Sequence, residues 1–361
     1  MTPASPDRLA IIPVSDVAPG AQVSHAIKGR ARAMALRDEC LAWLPGAARS
    51  VLPAIDAVTR LWLKRSASPY VAEIAAIAGA LDYPGIWFLN GCYQWGCTSV
   101  VREEEGVPWL ARTLDWPFHG LGRHVEIGRM RGPAGAFDAV TWPGFAGVLT
   151  ASAPRRFAAC INQAPLKRRM RHPWLRPVDI GLNALATARI RFIPPDHLLR
   201  HVMETCGSFA EARHRLETTP VARPVIYTLA GCRAGERCVI ERTEEGCVTR
   251  DQDTGAANDW GQRQPAWEAR VSSRYMLTRT YHEAAARNLS RKQWLAEWPG
   301  RFAQGSFAWV APPVLNPFTR VAVEMCPRHG ILRAVGYETL PDSELAQPIT
   351  QACEVAAALA A

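Results

Sequence analysis

The feature that most constrains the fold of this chain is a pair of neighbouring segments with the pattern of a β-hairpin. Cys97 opens an apolar, strand-like run that ends at Val101, and Arg112 and Asp115 lie three residues apart on the next such run. A hairpin places the thiol beside a cation and a carboxylate. A thiol attacks a carbonyl only as its thiolate, and an ordinary cysteine has a pKa near ~8.5. A reactive cysteine therefore needs a neighbour that takes or disfavours its proton.

A cysteine alone is weak evidence of a site, because free cysteines are often inert buried hydrophobes. The chain has 10 cysteines and 9 histidines among 361 residues. Cys92 and Cys97 lie too far apart for the usual zinc-ligand pair, and the histidines are scattered, so we predict no metal and no cofactor. Cysteines without dense, regular spacing in so long a chain do not indicate a disulfide scaffold, and a cytoplasmic location is expected.

Five further segments stand around the hairpin in an order and spacing that resemble those of one enzyme family. They are Glu73–Leu81, Ile86–Asn90, Trp142–Thr150, Pro224–Gly231 and Glu236–Arg242. With Cys97, they resemble the cysteine branch of the N-terminal nucleophile (Ntn) hydrolases. Within that branch the resemblance is to acid ceramidase, N-acylethanolamine acid amidase and choloylglycine hydrolase, over about residues 70–275. The first segment is predicted to be a helix and the second a strand leading to the nucleophile.

The resemblance implies that the chain is cleaved between Gly96 and Cys97. The newly exposed α-amino group, with an unperturbed pKa of about 7.7–8.0, then serves as the base, so no catalytic histidine is needed. Gly96 suits this step because glycine permits a strained backbone and close approach. Residues 1–96 become a helical N-terminal segment, either a propeptide or a small subunit, and residues 97–361 form the Ntn-hydrolase catalytic domain.

The resemblance also assigns roles around the nucleophile Cys97. Arg112 favours the thiolate electrostatically, and Asp115 holds the α-amine in place. The alternative for these two residues is a solvated ion pair on a strand, worth under about 1 kcal/mol where it is exposed.

Two asparagines and an arginine complete the set of candidate catalytic residues. By the resemblance, Asn162 corresponds to a family asparagine that lies at a strand end near the nucleophile. Asn258 corresponds to a family asparagine that helps to form the oxyanion hole. Either asparagine could equally form a turn, since asparagine tolerates left-handed backbone. Arg270 is the candidate for the arginine that completes the family's catalytic set, and Arg274 is the second choice. Relatives often carry a glutamate where this chain has Gln163, which leaves the handling of substrate open.

Composition agrees with a globular enzyme. The chain is 48% hydrophobic and 21% charged, enough for one large core or two modest ones. The sequence contains no run of about eighteen apolar residues, so no membrane span is predicted. The first residues also lack the basic and apolar regions of a secretory signal.

Helical and strand-like stretches follow one another without regular alternation, which predicts an α+β protein. The resemblance implies a four-layer αββα sandwich, in which helices flank two stacked antiparallel sheets, with the helical N-terminal segment packed on it. Ser290 is predicted to be the N-cap of the last helix. The expected helices cover 24–65, 177–218, 272–287 and 290–298. The expected strands lie within 97–161 and 224–250, with two further short strands at Arg320–Cys326 and Ile331–Val335.

The net charge of +9 raises the question of an acidic partner. Part of the excess positive charge lies in one cluster of basic residues. Our first interpretation of this cluster is a solvated loop, and our second is a surface that contacts lipid headgroups or an acidic substrate. No recognition helix or RNA-binding signature is visible, so nucleic acid is not a predicted partner. A homo-oligomer is left open. The cluster comprises Arg155, Arg156, Lys167, Arg168, Arg169, Arg171 and Arg176.

The predicted function is that of a cysteine amidohydrolase. It would cleave a linear, non-peptide C–N amide bond of an N-acyl compound, such as a fatty-acid amide, a ceramide or a bile-salt conjugate, through a thioester acyl-enzyme. Two alternatives stay open. An amine in place of water would make the protein an acyltransferase of the penicillin acyltransferase type, and an inert Cys97 would leave an unprocessed binding protein.

Overall fold

The computed structural model of the chain describes residues 9–18, 20–42, 46–92, 96–252, 254–262, 264–270 and 281–356. Its helices are α1 (Gln22–Lys28), α2 (Arg30–Ala42), α3 (Gly46–Arg49), α4 (Leu52–Arg65), α5 (Val71–Leu81), α6 (Ile86–Leu89), α7 (Arg176–Arg189), α8 (Pro195–Thr205), α9 (Phe209–Thr218) and α10 (Tyr281–Glu297). Short 3₁₀ turns cover Pro173–Leu175 and Phe302–Gln304.

Most of the strands lie after residue 95. They are β1 (Val14–Val17), β2 (Gly96–Glu104), β3 (Val107–Asp115), β4 (Glu126–Gly132), β5 (Gly135–Thr141), β6 (Thr150–Ala153), β7 (Phe157–Gln163), β8 (Leu166–Lys167), β9 (Val225–Ala230), β10 (Arg237–Arg242), β11 (Cys247–Arg250), β12 (Gly255–Ala256), β13 (Trp267–Glu268), β14 (Thr319–Cys326), β15 (Ile331–Thr339), β16 (Ala346–Pro348) and β17 (Cys353–Ala356).

Within the described residues the strands form two large sheets and one small one. The first sheet has the order β1-β4-β5-β6-β7-β9-β10-β11. The second has the order β12-β2-β3-β14-β15-β16, with β17 also paired to β15, and β8 pairs with β13. The pairs β2–β3 and β7–β9 are antiparallel, whereas β1 runs parallel to β4.

The two large sheets stack face to face and carry helices on their outer faces. Strands β2 and β3 pack on β7 and β9, and apolar side chains such as Leu114 and Tyr227 fill the space between the sheets. Helices α8 and α9 cover the first sheet, and α10 covers the second. Trp109 and Leu295 belong to one apolar cluster on that outer side. The predictions of an α+β protein and of an αββα sandwich are therefore confirmed.

The described part of residues 1–96 is mainly helical, as predicted, and is tied to the sandwich by buried polar contacts. Arg200 of α8 makes a bidentate ion pair with Glu73 of α5, with nitrogen–oxygen distances of 2.5 and 2.9 Å. The hydroxyl of Tyr70 donates to Glu204 at 2.6 Å. Strand β1, which joins the edge of the first sheet, was not predicted from the sequence.

The predicted strand over Ile86–Asn90 was wrong, because this segment begins with the helical turn α6. A run of five apolar and amide residues suits a buried strand or a buried helical turn equally well. Gly85, with φ at 118°, supplies the left-handed conformation from which the turn starts. The side chain of Asn90 then donates to the carbonyl oxygen of Ile86 at 2.9 Å and closes it.

The prediction of a helix boundary at Ser290 was also wrong, because α10 runs without a break from Tyr281 to Glu297. A serine inside a helix costs only a few tenths of a kcal/mol, and Ser290 lies on the exposed face. The opposite face packs on the second sheet through Leu295, which favours one continuous helix over two. The first part of the predicted helix 272–287 lies outside the described residues.

Candidate active site

Strands β2 and β3 form the predicted hairpin, which is confirmed by their register. Gly96 lies opposite Asp115, Cys97 opposite Leu114, and Ser99 opposite Arg112. Alternate residues of a strand share one face, so Cys97 and Arg112 are diagonal neighbours on the face that looks toward the first sheet. Both are buried, with 0% of Cys97 and 1% of Arg112 exposed.

Arg112 places its guanidinium directly against the thiol. Its Nη2 atom lies 2.9 Å from Sγ of Cys97 and also donates to the carbonyl oxygen of Ile161 at 3.2 Å. Its Nη1 atom donates to Oγ1 of Thr150 at 2.5 Å. Because Ile161 and Thr150 belong to the first sheet, the arginine bridges the two sheets and its head group is held in one orientation.

The thiol of Cys97 is neutral at pH 7 in the intact chain. Burial raises the pKa of this thiol to about 12, and the negative charge of Asp115 acts in the same direction. The positive charges of Arg112 and Arg291 oppose that rise. Conversion to the thiolate therefore needs a base close to the sulfur, which none of these groups supplies.

Asn258 holds the backbone nitrogen of Cys97. The N–H group of Cys97 donates to Oδ1 of Asn258 at 2.7 Å, and Nη2 of Arg291 donates to the same oxygen at 3.1 Å. On the other side, Nδ2 of Asn258 donates to the carbonyl oxygen of Gln163 at 2.8 Å. Two donors face one end of the amide and a carbonyl faces the other, so the network fixes which end is oxygen.

Asp115 is completely buried and accepts three hydrogen bonds. Its carboxylate receives Nη1 of Arg291 at 2.9 Å, Nδ2 of Asn316 at 2.9 Å and Oγ1 of Thr319 at 3.2 Å. The ion pair with Arg291 joins the end of β3 to α10. These three side chains hold the carboxylate in place, and its charge acts on the Cys97 thiol across space.

Arg291 is a site residue that the sequence analysis missed. It contacts Asp115 and Asn258, and Nη2 also donates to Oδ1 of Asn288 at 2.8 Å. A signal was present in the sequence. Ala284, Asn288, Arg291 and Leu295 lie on the buried face of α10 at helical spacing, and two polar residues within an apolar stripe indicate a buried polar contact. The supposed boundary at Ser290 concealed that periodicity.

Asn162 links the nucleophile strand to the segment before Asn258. Its Oδ1 accepts from Oγ of Ser99 at 3.1 Å, and its Nδ2 donates to the carbonyl oxygen of Ala257 at 3.3 Å. Ser99 also meets Oγ1 of Thr228 at 2.9 Å. Asn162 thus belongs to the same buried network as Cys97, but it bonds to Ser99 and Ala257 and not to the sulfur itself.

Arg270 lies beside the network through its backbone, while its side chain lines a separate cleft. The N–H group of Arg270 donates to the carbonyl oxygen of Asn258 at 2.9 Å, and its own carbonyl accepts Nδ2 of Asn288 at 2.7 Å. Burial lowers the pKa of the Arg270 guanidinium to about 9, and the charge of Arg223 adds to that effect. Arg274 lies outside the described residues.

A polar cleft borders this network, and a separate apolar cavity lies beside the N-terminal helices. The apolar cavity lies between the N-terminal helices and the segment after β3, and Leu36, Leu89 and Trp116 contribute to its wall. The polar cleft lies at the end of β7, where Gln163 and Arg270 line it. In the described part of the chain, His, Cys, Asp and Glu side chains form no metal-binding group. No helix there has the length and apolar character needed to cross a bilayer.

Comparison with known proteins gives relatives in sequence but no matching family model. The chain is 28% identical over 186 residues to N-acylethanolamine-hydrolyzing acid amidase of Oryctolagus cuniculus, which covers 49% of this chain and 49% of that protein. It is 26% identical over 214 residues to a probable acid ceramidase of Caenorhabditis elegans, and the alignment covers 54% of this chain and 52% of that protein. The chain thus spans about half the length of the curated relatives it matches.

Among solved structures, a Caenorhabditis elegans ortholog of N-acylethanolamine-hydrolyzing acid amidase aligns with a TM-score of 0.48 and 19% identity, over 68% of this chain and 95% of that one. A point mutant of conjugated bile acid hydrolase from Clostridium perfringens aligns with a TM-score of 0.40 and 10% identity, over 72% and 96%. The sequence comparison confirms the resemblance of this chain to the acid ceramidase and N-acylethanolamine acid amidase family.

Proposed function

We propose that this protein is a cysteine amidohydrolase that cleaves the linear, non-peptide amide bond of an N-acyl compound through a thioester acyl-enzyme. Its nucleophile is Cys97, which becomes the first residue of fragment 97–361 after cleavage of the chain. The relatives named N-acylethanolamine-hydrolyzing acid amidase and acid ceramidase support the choice of N-acyl substrates.

One observation carries the proposal: the two atoms of Cys97 that the chemistry needs are both held by polar side chains. Arg112 Nη2 lies 2.9 Å from the sulfur, and Asn258 Oδ1 lies 2.7 Å from the backbone nitrogen. An inert core cysteine needs neither contact. The arrangement suits a cysteine whose own nitrogen is later freed to act as its base.

Cleavage is the first reaction of this site. The sulfur of Cys97 attacks the carbonyl carbon of Gly96, the thiol proton passes to the departing backbone nitrogen, and the peptide bond gives way to a thioester. Water then hydrolyses the thioester. The products are the carboxylate of Gly96, a free thiol and a free α-amine on Cys97.

Turnover of substrate repeats this chemistry on an external amide. The α-amine takes the thiol proton, Arg112 stabilises the thiolate, and the sulfur attacks the acyl carbon. An amide nitrogen has two N–H donors, so the contact of Asn258 with Gln163 leaves one for the oxyanion. The α-ammonium returns its proton to the leaving amine, and water resolves the thioester to release the acid.

Asp115, Asn162 and Arg270 support this chemistry as positioning residues. Asp115 fixes Arg291, which in turn holds the oxygen of Asn258. Asn162 ties Ser99 to the backbone just before Asn258. The backbone N–H group of Arg270 holds the carbonyl of Asn258.

The apolar cavity is the proposed site for the acyl chain. Its wall is almost entirely hydrocarbon, and Trp116, which belongs to that wall, directly follows Asp115. Cys92 brings the same cavity close in sequence to the cleavage point. Contact with a lipid surface and a cytoplasmic location both stay predictions.

Intact-mass measurement of the purified protein tests the proposal. We expect the wild type to give fragments 1–96 and 97–361 and the Cys97→Ala variant to stay one chain. Cys160→Ala is the matched control, because Cys160 is equally buried and also lies in the field of Arg112. It should be cleaved as the wild type is.

A panel of N-acyl amides of varied chain length then gives the activity. The cleaved wild type should release the free acid, and Cys97→Ala should release none. If an added amine is acylated to a new amide and no free acid is released, the protein is an acyltransferase. A wild type that stays full length and leaves every amide intact would exclude the hydrolase.

A further inference from the structure

The polar cleft beside the proposed active site is strongly cationic. Among the described residues, four basic side chains line it against a single lining carboxylate, Glu244. The carboxylate of Glu268, which lies near, is already engaged in an ion pair with Arg176. The cations are Lys167, Arg169, Arg223 and Arg270.

The arrangement of these cations favours an anion between them. Burial disfavours the charged form of Arg270, and the positive charge of Arg223 disfavours it further, while the charge of Glu268 offsets only part of these effects. Nε of Arg270 is buried and has no hydrogen-bond acceptor within the part of the chain that the structure describes. The ammonium of Lys167 lies 5.9 Å from the centre of the Trp267 ring, at the edge of the same cleft. An anionic group removes the repulsion and supplies the missing acceptor.

Three residues of the cleft wall are bonded to the proposed catalytic residues. The carbonyl oxygen of Ile161 accepts from Arg112, and that of Gln163 accepts from Asn258. The N–H group of Arg270 donates to the carbonyl oxygen of Asn258. The wall of the cleft is therefore in direct hydrogen-bond contact with the nucleophile network.

We propose that this cleft binds an anionic group on the amine half of the substrate, so that the preferred substrates are N-acyl amino acids with a free carboxylate. The inference rests on the proposed function. The apolar cavity takes the acyl chain, and the cationic cleft takes the carboxylate. Hydrolysis of such a substrate consumes one water and releases a fatty acid and an amino acid.

Matched substrates that differ only in charge test the inference on the cleaved, full protein. N-dodecanoylglycine carries the carboxylate, and N-dodecanoylglycinamide replaces it by a neutral amide of nearly the same shape. Dodecanoate release gives kcat/KM for each. We expect the wild type to favour the glycine compound by about tenfold or more, since a hydrogen bond to a charged group contributes about that factor.

Charge removal in the cleft should reduce this preference. Arg223→Gln and Lys167→Gln should each lower the ratio of the two kcat/KM values several-fold, whereas Arg131→Gln, an exposed arginine on β4, should leave it unchanged. Equal kcat/KM values for the two compounds in the wild type would overturn the inference. So would a ratio that Arg223→Gln does not alter.

The failure of the proposed function is distinguishable from failure of this inference. If no amide is hydrolysed, the amidohydrolase proposal fails. Calorimetric titration of the same two compounds then still tests whether the cleft binds an anionic group. Tighter binding of N-dodecanoylglycine, lost in Arg223→Gln, supports the anion site. Equal affinity for both compounds, or no binding of either, overturns it.

Discussion

The Nη2 atom of Arg112 lies 2.9 Å from the Sγ atom of Cys97, between two sheets where neither side chain reaches solvent. Charges at that distance interact far more strongly in a protein interior than in water. The guanidinium therefore offsets part of the burial that raises the pKa of the Cys97 thiol to about 12. The same contact that stabilises a thiolate also orients the sulfur.

Loss of this guanidinium should slow the cleavage before Cys97. We expect Arg112→Gln to lower the cleavage rate about a hundredfold, comparable to removing one preorganised donor from a transition state. The fraction of cleaved chain over time, followed by intact mass, gives the rate. Arg102→Gln on the same hairpin is the control and should cleave at the wild-type rate. Equal rates for the two variants would contradict the assigned role.

The ion pair between Arg291 and Asp115 should stabilise the fold as well as the site. Arg291→Leu leaves a buried carboxylate without its cation, and we expect the free energy of unfolding to fall by about 3–5 kcal/mol. Adding Asp115→Asn should recover part of that loss because the uncompensated charge is gone. Urea unfolding of the two single variants and the double variant measures the coupling. Strictly additive losses would show that the pair contributes nothing.

The N-terminal fragment should stay bound after cleavage. The bidentate pair of Glu73 with Arg200 is largely buried, and breaking it should weaken association of fragments 1–96 and 97–361 at least about a hundredfold. Native mass spectrometry of Arg200→Ala reports the dissociation. Arg213→Ala is the matched control, because Arg213 pairs with Glu217 within the larger fragment. Free fragments in the wild type would refute retention.

Narrowing the apolar cavity should discriminate against long acyl chains. Leu89→Trp adds bulk to its wall, and each methylene kept out of the cavity loses about 0.8 kcal/mol of burial. We expect the ratio of kcat/KM for dodecanoyl over butanoyl amides to fall about tenfold or more. Leu185→Trp, at an exposed position on α7, should leave the ratio as it is. An unchanged ratio in Leu89→Trp would place the acyl chain elsewhere.

Glu324 should make stability depend on pH. Burial raises the pKa of this carboxyl from 4.5 to about 7, although Trp309 and Arg333 oppose that rise. Between these two values the folded protein binds a proton that the unfolded chain has released. The free energy of unfolding therefore falls as pH rises from about 4.5 to 7, by about 3 kcal/mol from this group, and then levels off.

Glu324→Gln removes the titrating group and keeps the acceptor for Nε1 of Trp309, which lies 2.8 Å from the carboxylate. Urea unfolding across that pH range should show a flatter profile for this variant than for the wild type. Glu354→Gln is the control, since Glu354 also pairs with Arg333 but is half exposed. Parallel profiles for wild type and Glu324→Gln would contradict the assignment.

Local pattern was enough to predict the hairpin that carries Cys97 and Arg112, as well as the helical and strand-rich parts of the chain. Alternation of apolar residues and short connections are properties of neighbouring residues, so they can be read without knowledge of the fold. The same local reasoning placed a strand at Ile86–Asn90, because periodicity cannot separate a buried strand from a buried helical turn over five residues.

The partners of the nucleophile were decided by tertiary structure. Arg291 reaches Asp115 across 176 residues of sequence, and only the packing of α10 on the second sheet brings them together. The cationic cleft likewise forms where separate segments converge at the end of β7. Sequence alone established which residue types could perform the chemistry and the hairpin on which three of them lie. Which distant charges surround them depends on how the four layers stack, since the periodicity of α10 can mark Arg291 as buried but cannot identify the residues that it contacts.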